Sequence, residues 1–107
     1  MKIVLRPAAR RDIILQVAHY IDELAYHAAA GFPSAVEVAV QQIREQPGIG
    51  SPRSFDNPKL KGLRAWPVPG FEDIRIYYLH PQPSMIRIIR VLHGKRDLAL
   101  ILAGYLE

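Results

Sequence analysis

The sequence predicts an α+β fold: an N-terminal strand, an antiparallel helix hairpin, a three-strand antiparallel meander and a short C-terminal tail. Two observations predict it. Apolar residues recur at spacings of three and four before Pro47, and β-branched runs separated by turn-rich segments follow it. Because the apolar faces of a helix hairpin and of a sheet must both be buried, the helices are expected to pack on one face of the sheet. A chain of 107 residues is expected to form a single domain, over residues 1–107.

The N-terminal segment is predicted to hold a strand and a long helix. Residues 2–6 are typical of a short strand, which Pro7 ends, and proline suits the first turn of a helix. The apolar spacing then predicts an amphipathic helix over residues 8–30, with Gly31 as its C-terminal stop.

A second helix is predicted from residue 34. Ser34 and Glu37 have the spacing of a capping box, in which each side chain accepts from a backbone amide of the first turn. Pro47 and Gly48 are expected to stop this helix. The connection between the two helices is short, so they are expected to form an antiparallel hairpin.

The C-terminal half is predicted to be β-rich. Residues 47–61 form a turn-rich loop, and Pro67 places the first strand after it at an edge or a bulge. The segment 80–84 is predicted to be a hairpin loop, and the apolar tail over 98–106 is either a helix or a strand. The three strands of the meander are predicted over residues 63–68, 73–79 and 85–92.

The positive charge is concentrated in the C-terminal half. The net charge is +4, and residues 1–58 contain equal numbers of acidic and basic residues, so all of the excess lies in residues 59–107. This asymmetry indicates a basic face that meets nucleic acid or an acidic protein, although ordinary solubility explains it equally well.

Several classes of site and location are not expected. The chain has no cysteine, which excludes disulfides and cysteine zinc sites, and His19 and His27 are eight residues apart rather than four. We therefore expect no metal and no cofactor. No apolar run has the length of a membrane span, and the N-terminus does not resemble a signal peptide, so a cytoplasmic protein without membrane contact is expected.

Five local motifs, in order, resemble the RelE/ParE superfamily of bacterial toxins over essentially the whole chain. Each motif is weak alone, and their order and spacing carry the resemblance. They are Ala9-x-x-Asp12-Ile13, Pro47-x-x-Gly50, Leu60-Lys61-Gly62-Leu63-Arg64, Arg75-Ile76-Tyr77-Tyr78 and Arg90-Val91-Leu92-His93-Gly94-Lys95-Arg96-Asp97.

The resemblance implies the toxin of a type II toxin–antitoxin module, of the kind called plasmid stabilisation systems. The ParE-type interpretation implies inhibition of DNA gyrase by binding, without chemistry of its own, and neutralisation by a cognate antitoxin. That antitoxin is expected to lay a helix along the helix hairpin and to add a strand to a sheet edge. The alternatives are a RelE-type, ribosome-dependent mRNA endonuclease and a degenerate, non-toxic binding module. A homodimer or a toxin–antitoxin hetero-oligomer is compatible with the sequence.

The resemblance also supplies candidate site residues. Arg64, Trp66, Arg75 and Arg96 are candidates for partner binding; Arg64, Arg75, His93 and Arg96 are the candidates for catalysis if the protein is a nuclease. The nuclease pattern has a second lysine where Trp66 stands and a tail tyrosine where Leu102 stands, and Tyr105 is three positions further on. These departures favour the ParE-type interpretation.

Structural roles compete with these functional ones. Trp66 is equally compatible with a core position, and His93 with a residue that fixes a turn. Arg87 and Arg90 are three positions apart, so they are expected on opposite faces of a strand, one of them ion-paired or extended along the surface.

Overall fold

The computed structural model describes residues 1–95, so the predicted tail over 98–106 lies outside the described residues. Two helices and a five-stranded mixed sheet account for most of this part of the chain. No helix within it is long and apolar enough to cross a membrane. The elements are β1 (Lys2–Leu5), α1 (Pro7–Asp22), α2 (Tyr26–Glu45), β2 (Ser51–Pro52), a 3₁₀ turn (Pro58–Leu60), β3 (Arg64–Val68), β4 (Phe71–Gln82) and β5 (Met85–His93).

The sheet has the strand order β1-β5-β4-β3-β2. The predicted antiparallel meander is confirmed as β3, β4 and β5. The predicted antiparallel arrangement does not extend to the whole sheet, because β1 pairs with β5 in parallel, with Ile3 opposite Ile86. The two helices separate β1 from the other strands in the sequence, and β5 runs alongside β1 in the same direction. The two-residue strand β2 was not predicted, and it lies within the expected loop over 47–61.

The break between the helices lies at residues 23–25, not at the predicted Gly31. Leu24 has a φ of +60°, in the left-handed region, and the amide of Ala25 donates to the carbonyl of Tyr20 at 2.7 Å. The amide of Leu24 donates to the carbonyl of Ile21 at 3.0 Å. This pair of bonds is a Schellman motif, which usually has glycine at the left-handed position. Sequence reasoning missed this helix end because a leucine occupies that position.

The predicted capping box at Ser34 and Glu37 is also wrong, because α2 continues through Gly31, Pro33 and Ser34. The buried face of α2 explains why the helix is continuous there. These buried residues are spaced alternately by three and four positions, as a single helix requires. Packing of this continuous stripe outweighs the lost backbone hydrogen bond at the proline. The buried residues of α2 are Ala29, Phe32, Val36, Ala39 and Ile43.

The helices cover one face of the sheet, as predicted, and we call this the helix face. Its core includes Phe32 from α2, Ile76 from β4 and Ile88 from β5, all at most 1% exposed. The opposite face, which we call the second face, carries a smaller apolar cluster. There the loop residues Leu60 and Leu63 pack with these strand residues: Ala65, Tyr77, Leu79, Ile89 and Leu92.

Candidate functional site

The side chain of Arg64 is held by the loop that follows α2. Its Nη1 donates to the carbonyl of Gly50 at 2.7 Å and to that of Gly48 at 3.3 Å. Arg64 pairs with Tyr78 across the β3–β4 ladder, and Tyr78 belongs to the core of the helix face. Since residues directly opposite share a face, Arg64 lies on the helix-face side, at the start of β3. Its guanidinium fixes a loop there.

The side chain of Tyr78 is hydrogen-bonded to the same loop. Its hydroxyl accepts a hydrogen bond from the amide of Gly50 at 2.9 Å and donates one to the carbonyl of Pro47 at 2.6 Å. Burial raises the pKa of Tyr78, while the Gly50 hydrogen bond and the charge of Arg64 oppose that rise. The hydroxyl therefore stays protonated and acts as a structural crosslink between β4 and the loop.

Trp66 is half-buried on the helix face. Its Nε1 donates to Oε1 of Gln42 on α2 at 2.9 Å, and its ring packs against the helix-face core. A buried indole N–H needs an acceptor, and Gln42 supplies it. Trp66 thus links β3 to α2.

Arg75 lies on the second face. It stands between Ile74 and Ile76, both buried on the helix face, so its own side chain leaves the sheet on the opposite side. Its guanidinium packs against Gly94, where an added Cβ would come within 3.0 Å of Cζ and Nη1. The amide of Gly94 donates to the carbonyl of Asp73 at 2.7 Å, which holds this turn against the strand.

His93 lies on the helix face. It is paired with Ile74, and it lines a cleft of about 490 Å³ together with Gln16, His19 and Tyr20 of α1. Its Nδ1 accepts a hydrogen bond from the amide of Lys95 at 3.2 Å. This contact is the turn-fixing role that the sequence offered as the structural alternative for His93.

The structure does not bring the described nuclease candidates together. Arg75 projects from the second face, whereas His93 and Arg64 lie on the helix-face side. Arg64 pairs with Tyr78 and His93 with Ile74, so they stand four residues apart along β4, about 13 Å at strand spacing. The fourth candidate, Arg96, lies outside the described residues, as do Leu102 and Tyr105.

Comparison with known proteins identifies the family. A family model described as the ParE toxin of the type II toxin–antitoxin system, parDE, matches residues 3–98. The chain belongs to this family. A solved structure described as the chromosomal ParDE TA system from P. aeruginosa has a similar fold, with a TM-score of 0.65 and 17% sequence identity. The match covers 87% of this chain and 95% of that one. No curated protein matches the sequence.

In this ParE-family chain, sequence reasoning missed a contact that joins α1 to β5. Asp12 binds Arg90 through two hydrogen bonds, Nε to Oδ2 at 2.7 Å and Nη2 to Oδ1 at 2.9 Å. Oδ2 also accepts from the amide of Val91 at 3.0 Å. The hydrogen bond to Asp12 raises the pKa of Arg90 above its usual value. Arg90 thus confirms the expectation that one of Arg87 and Arg90 is ion-paired. The motif Ala9-x-x-Asp12-Ile13 was the sequence feature from which this contact could have been suspected.

Asp12 supports an irregularity in the ladder between β4 and β5. Tyr78 pairs with Ile88 and Tyr77 with Arg90, so β5 holds one extra residue at this point. Such a bulge leaves a backbone group without its ladder partner. Asp12 supplies an acceptor to the amide of Val91 there. The residues that follow the bulge exchange faces, which is how His93 comes to the helix face.

No group of three or more histidine and acidic residues that could hold a metal ion occurs within residues 1–95.

Proposed function

We propose that this type II toxin acts by binding DNA gyrase and that a cognate antitoxin neutralises it. One observation carries the proposal: the sheet separates Arg75 from His93 and Arg64, the described residues from which a nuclease site would have been built. Membership of the ParE toxin family, over residues 3–98, supports the same conclusion.

Cleavage of a phosphodiester needs a charged group at the phosphate and proton-transfer groups within about 2.6–3.2 Å of the reacting atoms. Arg75 and His93 leave opposite faces of one sheet, and this arrangement does not favour their convergence on one phosphate. Arg64 is further occupied by two backbone carbonyls. Inhibition by binding does not need these groups to converge, and the described geometry favours it.

The helix hairpin offers a surface for the antitoxin. Among the described residues, every large hydrophobic side chain that is exposed lies on the two helices or their connection, apart from Met1. A concentration of exposed, large apolar side chains on one pair of helices is compatible with a protein-binding surface. They support an antitoxin helix lying along the hairpin. The residues are Ile14, Leu15, Ile21, Leu24, Tyr26 and Val38.

Two further features support this partner. Leu24 holds a left-handed backbone conformation that suits glycine, and its side chain is 71% exposed, so packing within this chain does not explain a leucine at this position. Among residues 1–95, strand β1 lies at the edge of the sheet, and no other described strand pairs with its outer side. An edge strand of this kind accepts an added strand from a partner.

The test of the gyrase proposal is a supercoiling assay with purified protein and gyrase. We expect inhibition with accumulated gyrase–DNA cleavage complexes. The double variant Arg75→Glu/Arg96→Glu should lose most of it while remaining folded. The control is Arg10→Glu/Arg11→Glu, which makes the same change in net charge on exposed positions of α1 and should inhibit as the wild type does.

Unimpaired gyrase in the presence of folded wild-type protein would overturn the proposal. Cleavage of mRNA on ribosomes would then establish the RelE-type alternative, and harmless expression without an antitoxin would establish a non-toxic module. Full toxicity of a folded Arg75→Glu/Arg96→Glu variant would refute the assignment of these two arginines to the target contact.

The antitoxin surface is tested by binding of the cognate antitoxin. We expect Ile21→Ser/Leu24→Ser to weaken binding at least about tenfold, which corresponds to about 1.4 kcal/mol. Glu23→Ser, an exposed polar position in the same turn, is the control and should bind as the wild type does. Equal affinity of all three proteins would place the antitoxin elsewhere on the toxin.

A further inference from the structure

A cleft of about 460 Å³ lies where the β4–β5 hairpin meets the turn that precedes β3. We call it the lysine cleft. Its volume is within the range of ordinary ligand sites, about 300–1,000 Å³. Five of its eight described lining residues are lysine, arginine or histidine. None of the eight carries a carboxylate. The lining residues are Lys59, Lys61, Gly62, Arg64, Leu79, His80, Pro81 and Arg87.

The fold fixes two lysines on the rim of this cleft. Leu60, between them, is 1% exposed and anchors the 3₁₀ turn in the apolar cluster of the second face. The side chain of Asn57 caps the turn by accepting from the amide of Lys59 at 3.0 Å. Gly62 then turns the chain with a φ of +84°. Because the buried leucine holds the turn, the exposed Lys59 and Lys61 are kept beside the sheet rather than on a free loop.

Arg87 approaches the same cleft from the sheet. It pairs with Leu79 across the β4–β5 ladder, and Leu79 is buried in the apolar cluster of the second face. The two side chains therefore share the second face. Leu79 closes the bottom of the cleft, and the half-buried Arg87 lies beside it. The two lysines of the turn before β3 and Arg87 of β5 thus converge on one cleft from two segments that are distant in the sequence.

We infer that the lysine cleft binds the phosphodiester backbone of nucleic acid. Lysine and arginine neutralise phosphates and release condensed counterions, which supplies most of the affinity of non-specific nucleic-acid binding. The lining offers several cations and little that would read a base edge. Binding is accordingly independent of sequence, with a Kd of about 10⁻⁴–10⁻⁶ M at physiological salt.

An acidic protein segment fits the lysine cleft less well. Protein interfaces are depleted of lysine and depend on aromatic and apolar anchors in desolvated pockets. Here two lysines are exposed, no aromatic side chain other than His80 lines the cleft, and Leu79 is already buried within the chain. The composition of the cleft favours phosphate over carboxylate-bearing peptide.

The lysine cleft is separate from the residues assigned to the gyrase contact. Arg75 and Leu79 are on the same face of β4 but four residues apart, about 13 Å. Phosphate binding in the lysine cleft does not involve Arg75, Arg96 or His93. Because the isolated toxin would bind nucleic acid through this cleft, a negative gyrase assay leaves this binding unaffected.

The experiment is a fluorescence anisotropy titration of the full-length protein against a labelled 20-base-pair DNA duplex and a single-stranded RNA of 20 nucleotides. Labelled polyglutamate is titrated in the same way as an acidic polypeptide, and each titration is repeated at several salt concentrations. The test variant is Lys59→Gln/Lys61→Gln. The control is Arg10→Gln/Arg11→Gln, which removes the same charge from exposed positions on α1. Urea unfolding followed by fluorescence of the single tryptophan verifies that the variants fold.

We expect the test variant to bind at least about tenfold more weakly than the wild type. It should also reduce the slope of log K against log salt by about 1.8 on duplex DNA or about 1.4 on RNA. The control should keep the wild-type affinity and slope. The nucleic acid with the tighter binding, DNA or RNA, identifies the source of the phosphates.

Three results would overturn the inference. These are no binding of either nucleic acid at low salt, the same loss in the test and control variants, and tighter binding of polyglutamate than of both nucleic acids. The last result would assign the lysine cleft to an acidic protein instead.

Discussion

The hydroxyl of Tyr78 accepts a hydrogen bond from the amide of Gly50 at 2.9 Å, across 28 positions of sequence. The contact leaves no room for a side chain at Gly50, because an added Cβ would lie 2.8 Å from Cε1 and from the hydroxyl of Tyr78. With Pro47 as its acceptor, the hydroxyl ties the loop after α2 to the centre of β4. The Pro47-x-x-Gly50 motif thus has a structural reason.

Tyr77 and Tyr78 are both fully buried, but their hydroxyls differ. That of Tyr78 has two hydrogen-bond partners, whereas that of Tyr77 has none among the described residues. Tyr78→Phe should lower the free energy of unfolding by about 1–3 kcal/mol, because the amide of Gly50 loses its acceptor. Tyr77→Phe should be neutral or stabilising. Urea unfolding of the two variants measures this, and equal losses would contradict the assignment.

Ionisation of Tyr78 should lower the free energy of unfolding at alkaline pH. Burial raises its folded-state pKa above 10.0. Above about pH 10 the unfolded state has lost this proton while the folded state retains it, so the unfolded state binds fewer protons. The stabilisation is therefore present in full below pH 10 and declines as pH rises through the folded pKa, by at most about 1.4 kcal/mol per pH unit.

The measurement is urea unfolding of the wild type and Tyr78→Phe from about pH 8 to about pH 11. We expect the difference in stability between the two proteins to shrink above about pH 10. A constant difference across this range would show that Tyr78 does not titrate as described.

Asp12→Ala should destabilise the fold by about 2–3 kcal/mol. The carboxylate is 8% exposed and satisfies both the Arg90 guanidinium, 23% exposed, and the amide of Val91. Its removal leaves a partly buried charge and a backbone donor without their acceptor. Asp22→Ala, at an exposed position of the same helix, is the control and should change stability by less than about 0.5 kcal/mol. Similar values for the two variants in urea unfolding would refute the role of Asp12.

Leu24→Gly should stabilise the protein by about 1 kcal/mol, since glycine adopts the left-handed conformation at this helix end without steric cost. Leu15→Gly is the matched control. Leu15 is 59% exposed within α1, so the same substitution there should destabilise by about 1 kcal/mol. Thermal unfolding distinguishes the two, and a loss of stability in both variants would contradict the strain at Leu24.

The break between the helices shows how far local sequence signals reach. Glycine and a capping box indicated a break at residues 31–34, and those signals are correct descriptions of local preference. The continuous buried stripe of α2 outweighs them, because burial of Phe32 and Val36 against the sheet stabilises the helix more than its interior proline destabilises it. The real break at Leu24 carries no local signal, since leucine disfavours the conformation it adopts.

The sequence by itself determined the α+β class, the β3–β4–β5 meander, the helix pair and the family resemblance, because periodicity and motif order are local properties of the chain. The tertiary structure decided which face each candidate residue occupies. Simple alternation along β5 would place His93 on the side of Arg87, and hence of Arg75. The extra residue between Ile88 and Arg90 reverses that parity and moves His93 to the helix face. Asp12 supports the bulge from 79 positions away in the sequence, a distance at which no local pattern can specify a contact.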